Sequence, residues 1–265
     1  MPELPEIFYI SNQLNEVVVG CKVKDVVIHQ EKCINKDLDT YKKDVIGKTI
    51  TSVTSLGKWV ICYLDDGSRL LFNMGMGGDL LYSKKLPERK YQGHFELDCG
   101  YYLTFRFWWF GHIHHVFKDE LHKETDKLGK DPFRSVLTKA EFVEHLQSRK
   151  GNLRTYLLSQ KYVTGIGNSY IHDILFKAKI NPFLKGYEVS KKKLEILYDV
   201  MIDEFKTSIA KGGAFYEVDI YNQHGTFQIS EVGYKENEPC PVCGTLITKE
   251  KVGSLTAYYC KKCQK

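Results

Sequence analysis

No stretch of this chain approaches the roughly 20 uninterrupted apolar residues that a membrane-spanning helix requires, because charged residues break every hydrophobic run. Helical membrane spans are therefore not expected, nor is a membrane partner. The N-terminus lacks a basic segment followed by an apolar one, so no secretory signal is read and a cytoplasmic setting, bacterial cytosol or nucleoid, is expected. Internal repeats and low-complexity tracts are missing as well. Charge of one sign is in small excess: 38 Lys and Arg against 33 Asp and Glu leave a net +5. The pI of about 8.6 falls below the roughly 9 of a plainly basic nucleic-acid-binding domain, which permits a polyanionic partner without requiring one.

What is present is the composition of a soluble globular protein, with 43% apolar and 27% charged residues over a length of 265. That length suits one large or two modest domains. Leu4, Ile7, Ile10, Leu14 and Val17 recur at helical spacing after Pro2, a residue suited to a first helical turn, so the chain is expected to begin with a helix. From about Val23 to Phe117, runs of Val, Ile, Tyr and Phe alternate with turn chemistry such as Asp65-Asp66-Gly67, predicting a β-sandwich or barrel. The polar segment from His122 to Pro132 reads as an interdomain linker. Thr138-Lys139-Ala140-Glu141 then reads as a capping box, followed by helices around Leu153 to Ser159, Asn168 to Ala178, and from near Ser190 to a stop at Gly212-Gly213. The expected class is α+β. Its boundaries are drawn at 1–121 for helix plus sandwich, 122–135 for the linker, 136–232 for a helical domain and 233–265 for a terminal module.

Four of the 8 cysteines, Cys21, Cys33, Cys62 and Cys99, are scattered and read as reduced thiols. The other four form two Cys-x-x-Cys knuckles, Cys240/Cys243 and Cys260/Cys263, separated by sixteen residues. That spacing predicts a four-thiolate Zn²⁺ site closed by a β-hairpin between the knuckles, with one structural ion per chain. A closed site has no open coordination position, so it folds a module and performs no hydrolysis.

Pro2-Glu3-Leu4-Pro5-Glu6 supports two readings. Removal of Met1 would expose a secondary amine, whose unperturbed pKa near 8 against about 10.4 for lysine leaves more of it nucleophilic at neutral pH. Glu3 and Glu6, three residues apart, would share one helix face beside it. The plainer alternative is a proline-initiated helix with acids at its positive end.

Together these segments resemble the formamidopyrimidine-DNA glycosylase and endonuclease VIII family. The start Pro2-Glu3-Leu4-Pro5-Glu6 resembles its N-terminal signature, and Ser55-Leu56-Gly57-Lys58-Trp59 its β-hairpin lysine motif. Leu128-Gly129-Lys130-Asp131-Pro132 is similar to its linker, Gly165-Ile166-Gly167-Asn168-Ser169-Tyr170 to its helix-two-turn-helix signature, and the cysteine module to its zinc finger. The resemblance implies a base-excision repair enzyme that flips a damaged base from duplex DNA, excises it through an N-terminal proline Schiff base and nicks the strand as an apurinic/apyrimidinic lyase, working as a monomer. It implies Pro2 as nucleophile, Glu3 as acid/base partner, Glu6 as positioning group and Lys58 as a phosphate contact. Met76 and Phe110 would be wedges into the emptied stack, and Arg154 and Asn168 phosphate contacts. Without the family, Met76 is a strand-end apolar residue, Arg154 an exposed helix charge and Asn168 a helix cap.

Several positions depart from the family pattern. Asn73 stands where a phosphate-facing histidine is usual, and Leu255 where the finger commonly carries an arginine. Asp173 replaces a glutamate. Trp108 stands where the purine-directed branch reads the widowed base with arginine; an indole stacks but cannot make that bidentate contact. Ala214 to Val232 matches no family segment. His112, His114 and His115 invite a metal reading, against the plainer one of side chains lining a DNA-facing groove. The rival function is a non-catalytic zinc-finger binder of damaged DNA.

Overall fold

Helix α1, Leu4–Val18, buries Leu4, Ile7, Ile10, Leu14 and Val18 along one stripe, as the three- and four-residue spacing dictates. Its cap is Glu3, and Pro5 rather than Pro2 occupies the first turn. The computed structural model describes residues 1–253 and 255–265. The chain divides into two compact units, one of Met1–Lys127 with Ile209–Thr226, the other of Leu128–Ser208 with Phe227–Lys265.

The first unit is the expected sandwich. Strands β1 (Val23–Ile28), β2 (Ile50–Leu56), β3 (Trp59–Leu64), β4 (Arg69–Asn73), β5 (Asp79–Ser83), β6 (Gly93–Leu97), β7 (Tyr102–Arg106) and β8 (His112–Val116) form two antiparallel four-stranded sheets. Their orders are β1-β6-β7-β5 and β2-β3-β4-β8. Val26, Phe95 and Leu103 of one sheet join Val60, Cys62 and Phe72 of the other in a single core, to which α1 contributes Ile10 and Leu14. Interleaved apolar faces of this kind are what a two-sheet core requires. Helix α1 packs on β2 and β3.

A short helix interrupts the region read as wholly β. It is α2, Leu38–Val45, whose cap Asp37 accepts from the Thr40 amide at 2.9 Å and whose Tyr41 and Val45 are buried one turn apart. Eight residues with only two core positions give too little periodicity to stand out from flanking strands.

The second unit holds α3 (Lys139–Gln147), α4 (Leu153–Leu158), α5 (Asn168–Lys177) and most of α6 (Lys191–Ala210), followed by a hairpin of β9 (Thr248–Val252) and β10 (Leu255–Tyr259). Thr138 caps α3 through its hydroxyl, but Glu141 turns to Lys130 instead of completing a reciprocal box.

Two sequence boundaries shift. The expected linker begins inside the first unit, because His122 and Thr125 are buried and hydrogen-bonded to each other at 2.9 Å. The expected helical domain also ends early: residues 209–226 return to the first unit. There the Ala214 amide donates to Glu6 at 3.0 Å, the Tyr82 amide to the Ile220 carbonyl at 2.8 Å, and Gln13 to Asp219 at 2.9 Å. Ile220 is fully buried in the sandwich core, an anchor that nothing distinguishes in sequence from its apolar neighbours Phe215, Tyr216 and Val218.

Candidate active site

Within the first unit the capping geometry of α1 gathers carboxylates around the chain's start. Pro2, Glu3 and Glu6 are all buried. Glu6 accepts from the Glu3 amide at 2.9 Å through one oxygen and from the Ala214 amide at 3.0 Å through the other. Both oxygens of a buried carboxylate are thus satisfied by backbone donors, the arrangement that lets it stay buried and rigid. Gly213, at φ +95°, passes so close to Glu6 that a β-carbon there would lie 2.8 Å from its Cγ. The double glycine read as a helix stop therefore also seats Glu6.

Glu217 joins this group. Its Oε1 lies 3.1 Å from the N-terminal nitrogen of Met1, and it is 8% exposed. Burial pushes its carboxyl above the usual glutamate range, and the neighbouring N-terminal ammonium opposes that. Asp79, 3% exposed, is held by Arg89 at 2.8 Å and by Arg106 at 2.9 Å. Glu217, Asp79 and both arginines line one cavity of about 260 Å³ together with Trp108 and His224. Sequence reading missed Glu217, Asp79, Arg89 and Arg106, since no motif spacing links them; an acid in a segment otherwise poor in matches was the sole signal.

Lys58 lies half-buried in the β2–β3 turn beside Gly57, which has φ +58°. Its carbonyl accepts from Asn73 at 3.4 Å, and the other end of that amide accepts from the Gly75 backbone at 3.0 Å. Asn73 thus ties the lysine turn to the loop that carries Met76. That loop is laced to the one after β7: the Met76 amide donates to the Trp109 carbonyl at 2.9 Å, and the Trp108 amide to the Met76 carbonyl at 2.8 Å. Met76, Trp108, Trp109 and Phe110 are 42%, 64%, 61% and 74% exposed. A contiguous apolar group this exposed marks a contact surface.

His112 and His114 share a strand face as expected, with ring centroids 5.0 Å apart, but they pack on Trp59 and on His122. Burial holds the His114 imidazole down to about 4, so this stack is neutral. Among the described residues no histidine joins a group able to hold a metal.

In the second unit Arg154 is fully buried, so it is not an exposed helix charge. One terminal nitrogen donates to Asn168 Oδ1 at 2.6 Å and to the Thr256 carbonyl at 2.7 Å. Nε and the other terminal nitrogen have no acceptor among the described residues. Asn168 is not the cap of α5, a place taken by Gly167; its amide nitrogen donates to the Tyr234 hydroxyl at 3.0 Å. Asp173 is an anchor: its carboxylate accepts from the amides of Ser230, Glu231 and Val232 at 2.7, 2.8 and 3.1 Å.

Cys240, Cys243, Cys260 and Cys263 bring their sulfurs within 4.8 Å of one another, with Cys240–Cys263 at 3.9 Å and Cys243–Cys260 at 3.5 Å. Zn–S bonds of 2.3 Å in a tetrahedron put sulfurs about 3.8 Å apart, so the cage fits Zn²⁺.

Residues 1–108 match the formamidopyrimidine-DNA glycosylase N-terminal domain, residues 128–219 its H2TH domain, and residues 237–265 the zinc finger found in FPG and IleRS. The formamidopyrimidine-DNA glycosylase of Pelotomaculum thermopropionicum is 31% identical over 100% of this chain and 99% of its own length. The chain belongs to the formamidopyrimidine-DNA glycosylase family. A Streptococcus pyogenes member is also 31% identical over the whole chain and 99% of its own length. MutM in complex with DNA containing carbocyclic 8-oxo-G superposes with a TM-score of 0.89 at 26% identity, covering 99% of each chain. The Lactococcus lactis Fpg complex with abasic-site DNA gives 0.88 at 25%, again covering 99% of each. The finger in this family member holds one structural Zn²⁺ on its four thiolates. No described helix is long and apolar enough to cross a membrane.

Proposed function

We propose that this chain is a base-excision repair DNA glycosylase with apurinic/apyrimidinic lyase activity, in which Pro2, freed by removal of Met1, attacks the sugar C1′ of a damaged nucleotide in duplex DNA. The observation that carries the reading is Pro2 buried at the chain's start, with the buried carboxylates Glu3 and Glu6 beside it on the first turn of α1. With Met1 attached, the Pro2 nitrogen is a tertiary amide without a nucleophilic lone pair. Once free, it is a secondary amine whose ordinary pKa near 8 leaves a useful fraction unprotonated. Glu3 protonates the opening sugar ring and Glu6 fixes the first turn that carries both. The resulting iminium makes the neighbouring sugar proton acidic enough for β-elimination.

Extruding a nucleotide costs a few kcal/mol, least where the base is already poorly stacked. Met76, Trp108 and Phe110 fill the space it leaves, Trp108 by stacking. Lys58 supplies positive charge to phosphates; Arg154, fully buried, holds Asn168, which keeps one amide hydrogen for a phosphate after serving Tyr234. The zinc ion shapes the finger and takes no part in bond making. The working unit is a monomer.

Borohydride trapping on duplex DNA with a preformed abasic site tests the reading. The mature protein should yield a covalent adduct whose modified peptide starts at Pro2, and Pro2→Gly should lower the trapping rate at least tenfold. An adduct mapping elsewhere, or specific binding without any adduct, overturns the nucleophile and favours a DNA-binding role alone.

A further inference from the structure

Two of the scattered cysteines meet in the first unit. Cys21 follows the last turn of α1, where its sulfur lies 3.8 Å from the Val17 carbonyl, and Cys99 sits in the turn that joins β6 to β7. That turn is pinned by the Leu97 amide donating to the Tyr101 carbonyl at 2.9 Å and the Gly100 amide to the Leu97 carbonyl at 3.0 Å. The residues next to the cysteines clasp the two segments together: the Asp98 amide donates to the Lys22 carbonyl at 2.9 Å, and the Lys22 amide to Asp98 Oδ1 at 2.7 Å. Held this way, the two sulfurs lie within 4.8 Å of each other. Cys21 is buried and Cys99 is open to solvent. Cys33 and Cys62 are both buried, and burial pushes their thiols up to about 11 and about 12. None of the four finger cysteines is exposed, and their thiolates are taken up by zinc. Among the described residues Cys99 is therefore the exposed thiol, and it stands beside a second one.

We propose that Cys21 and Cys99 are a redox pair that closes to a reversible disulfide when the protein meets hydrogen peroxide, ahead of any oxidation of the zinc finger. This goes beyond the Pro2 reading, because α1, fifteen residues and about 22 Å long, separates the pair from the chain's start. The Cys99 thiolate attacks one peroxide oxygen, the O–O bond breaks, and the hydroxide released takes up the proton that Cys99 gave, leaving water and a sulfenic acid. The Cys21 sulfur then attacks the Cys99 sulfur, the S–S bond forms, the S–O bond breaks, and the departing hydroxide leaves as water with the Cys21 proton. Two thiols are oxidised and one peroxide is reduced to two waters. The order of attack follows from the surroundings: burial, and after it the neighbouring Cys99, pushes the Cys21 thiol up to about 12, so Cys21 stays protonated and slow toward free peroxide. To close the bond, Cys99 gives up a contact of 3.9 Å with the Tyr82 hydroxyl and turns toward Cys21, where a disulfide needs about 2.05 Å. A metal ion fits this place less well. Asp98 is the third donor within reach, its Oδ1 is committed to the Lys22 amide, and three donors fall short of the four of a closed zinc site.

The zinc-loaded full chain is titrated with hydrogen peroxide, alkylated and mapped by peptide mass spectrometry, while a chromogenic chelator reports released zinc. The expected result is the loss of two thiols per chain in a peptide joining Cys21 to Cys99, with zinc retained and both thiols recovered by dithiothreitol. Cys99→Ser, a change at an exposed side chain, should slow thiol loss at least tenfold. Cys21→Ser should stop at a Cys99 sulfenic acid that dimedone captures, and dimedone present during oxidation of the parent should capture the same acid. Zinc release, or links among the finger cysteines, before Cys21 and Cys99 are consumed overturns the proposal. So does a sulfenic acid that accumulates on Cys99 in the parent with Cys21 still free. A second zinc ion per chain that shields both thiols from alkylation also overturns it, marking a metal site instead.

Discussion

Gly75→Ala should disable the exposed apolar group while leaving the sandwich core folded. Gly75 has φ +51°, a left-handed conformation that costs a residue with a β-carbon about 1–2 kcal/mol. The new methyl would lie 2.1 Å from the Trp109 carbonyl oxygen and 2.6 Å from the Gly111 nitrogen. Ordinary contact needs about 3.5 Å, so the 108–111 loop must retreat by roughly 1 Å or more. That retreat stretches the hydrogen bonds Met76–Trp109 and Trp108–Met76, now 2.9 and 2.8 Å, out of useful range. Two backbone hydrogen bonds at about 0.5–1.5 kcal/mol each, added to the conformational strain, give roughly 2–5 kcal/mol against the laced loops. If Met76, Trp108 and Phe110 fill the emptied stack, base extrusion should weaken by a factor of about 30 or more. The assay is 2-aminopurine fluorescence beside an abasic site, which rises on extrusion, with thermal unfolding followed in parallel. Normal extrusion amplitude and rate in a protein shown to carry the alanine would refute the wedge assignment.

Arg154→Met should lower affinity for abasic duplex by freeing Asn168, with the slope of log affinity against log salt unchanged, because a fully buried guanidinium neutralises no phosphate; a slope reduced by about 1 would instead mark Arg154 as a direct phosphate contact. His172 provides a test of pH dependence. It is 2% exposed, and burial followed by the nearby Arg154 charge holds it down to about 3. An unfolded histidine titrates near 6.5, so the unfolded chain binds the proton first and the folded one resists it. The stability this group contributes is complete above about pH 6.5 and is lost as pH falls toward 3. His172→Asn keeps an acceptor for the Tyr258 amide, now 3.3 Å away. Urea unfolding between pH 7 and 5 should therefore show a shallower loss of stability in the variant by up to about 1.4 kcal/mol per pH unit; identical slopes would contradict it.

The layers of the fold were readable because their signals are local. The stripe Leu4, Ile7, Ile10 and Leu14, the alternation in the strands and the two cysteine knuckles each lie within one element. What escaped the sequence is long-range. Glu217 reaches the chain's start only because residues 209–226 return to the first unit, and the hydrogen bonds that hold them there join residues 138 to 208 positions apart. His122 reads as a linker residue because its partners, Trp59 and His114, belong to strands. Asp173 looked like a mild replacement of glutamate. It is an anchor because its shorter side chain meets three consecutive amides of a strap lying fifty-seven positions away. Arg154 reads as a surface charge on helical spacing alone. Its hydrogen bonding depends on Thr256, whose carbonyl belongs to the terminal hairpin.

That dependence gives the zinc ion a consequence beyond its own module. Four thiolates fix the knuckles, and the knuckles set the register of β9 against β10, with Thr256 opposite Lys251. Register places the Thr256 carbonyl 2.7 Å from Arg154. The same nitrogen of Arg154 donates to the Asn168 amide oxygen and so orients it, leaving the amide nitrogen to donate to Tyr234. Without the metal, ordering the hairpin would have to come from the small cluster of Phe176, Val232 and Ile247 around the cysteines, too little apolar surface for a module of this size. A structural metal with no open coordination position thus reaches the proposed phosphate contact at Asn168 through one carbonyl, one guanidinium and one amide.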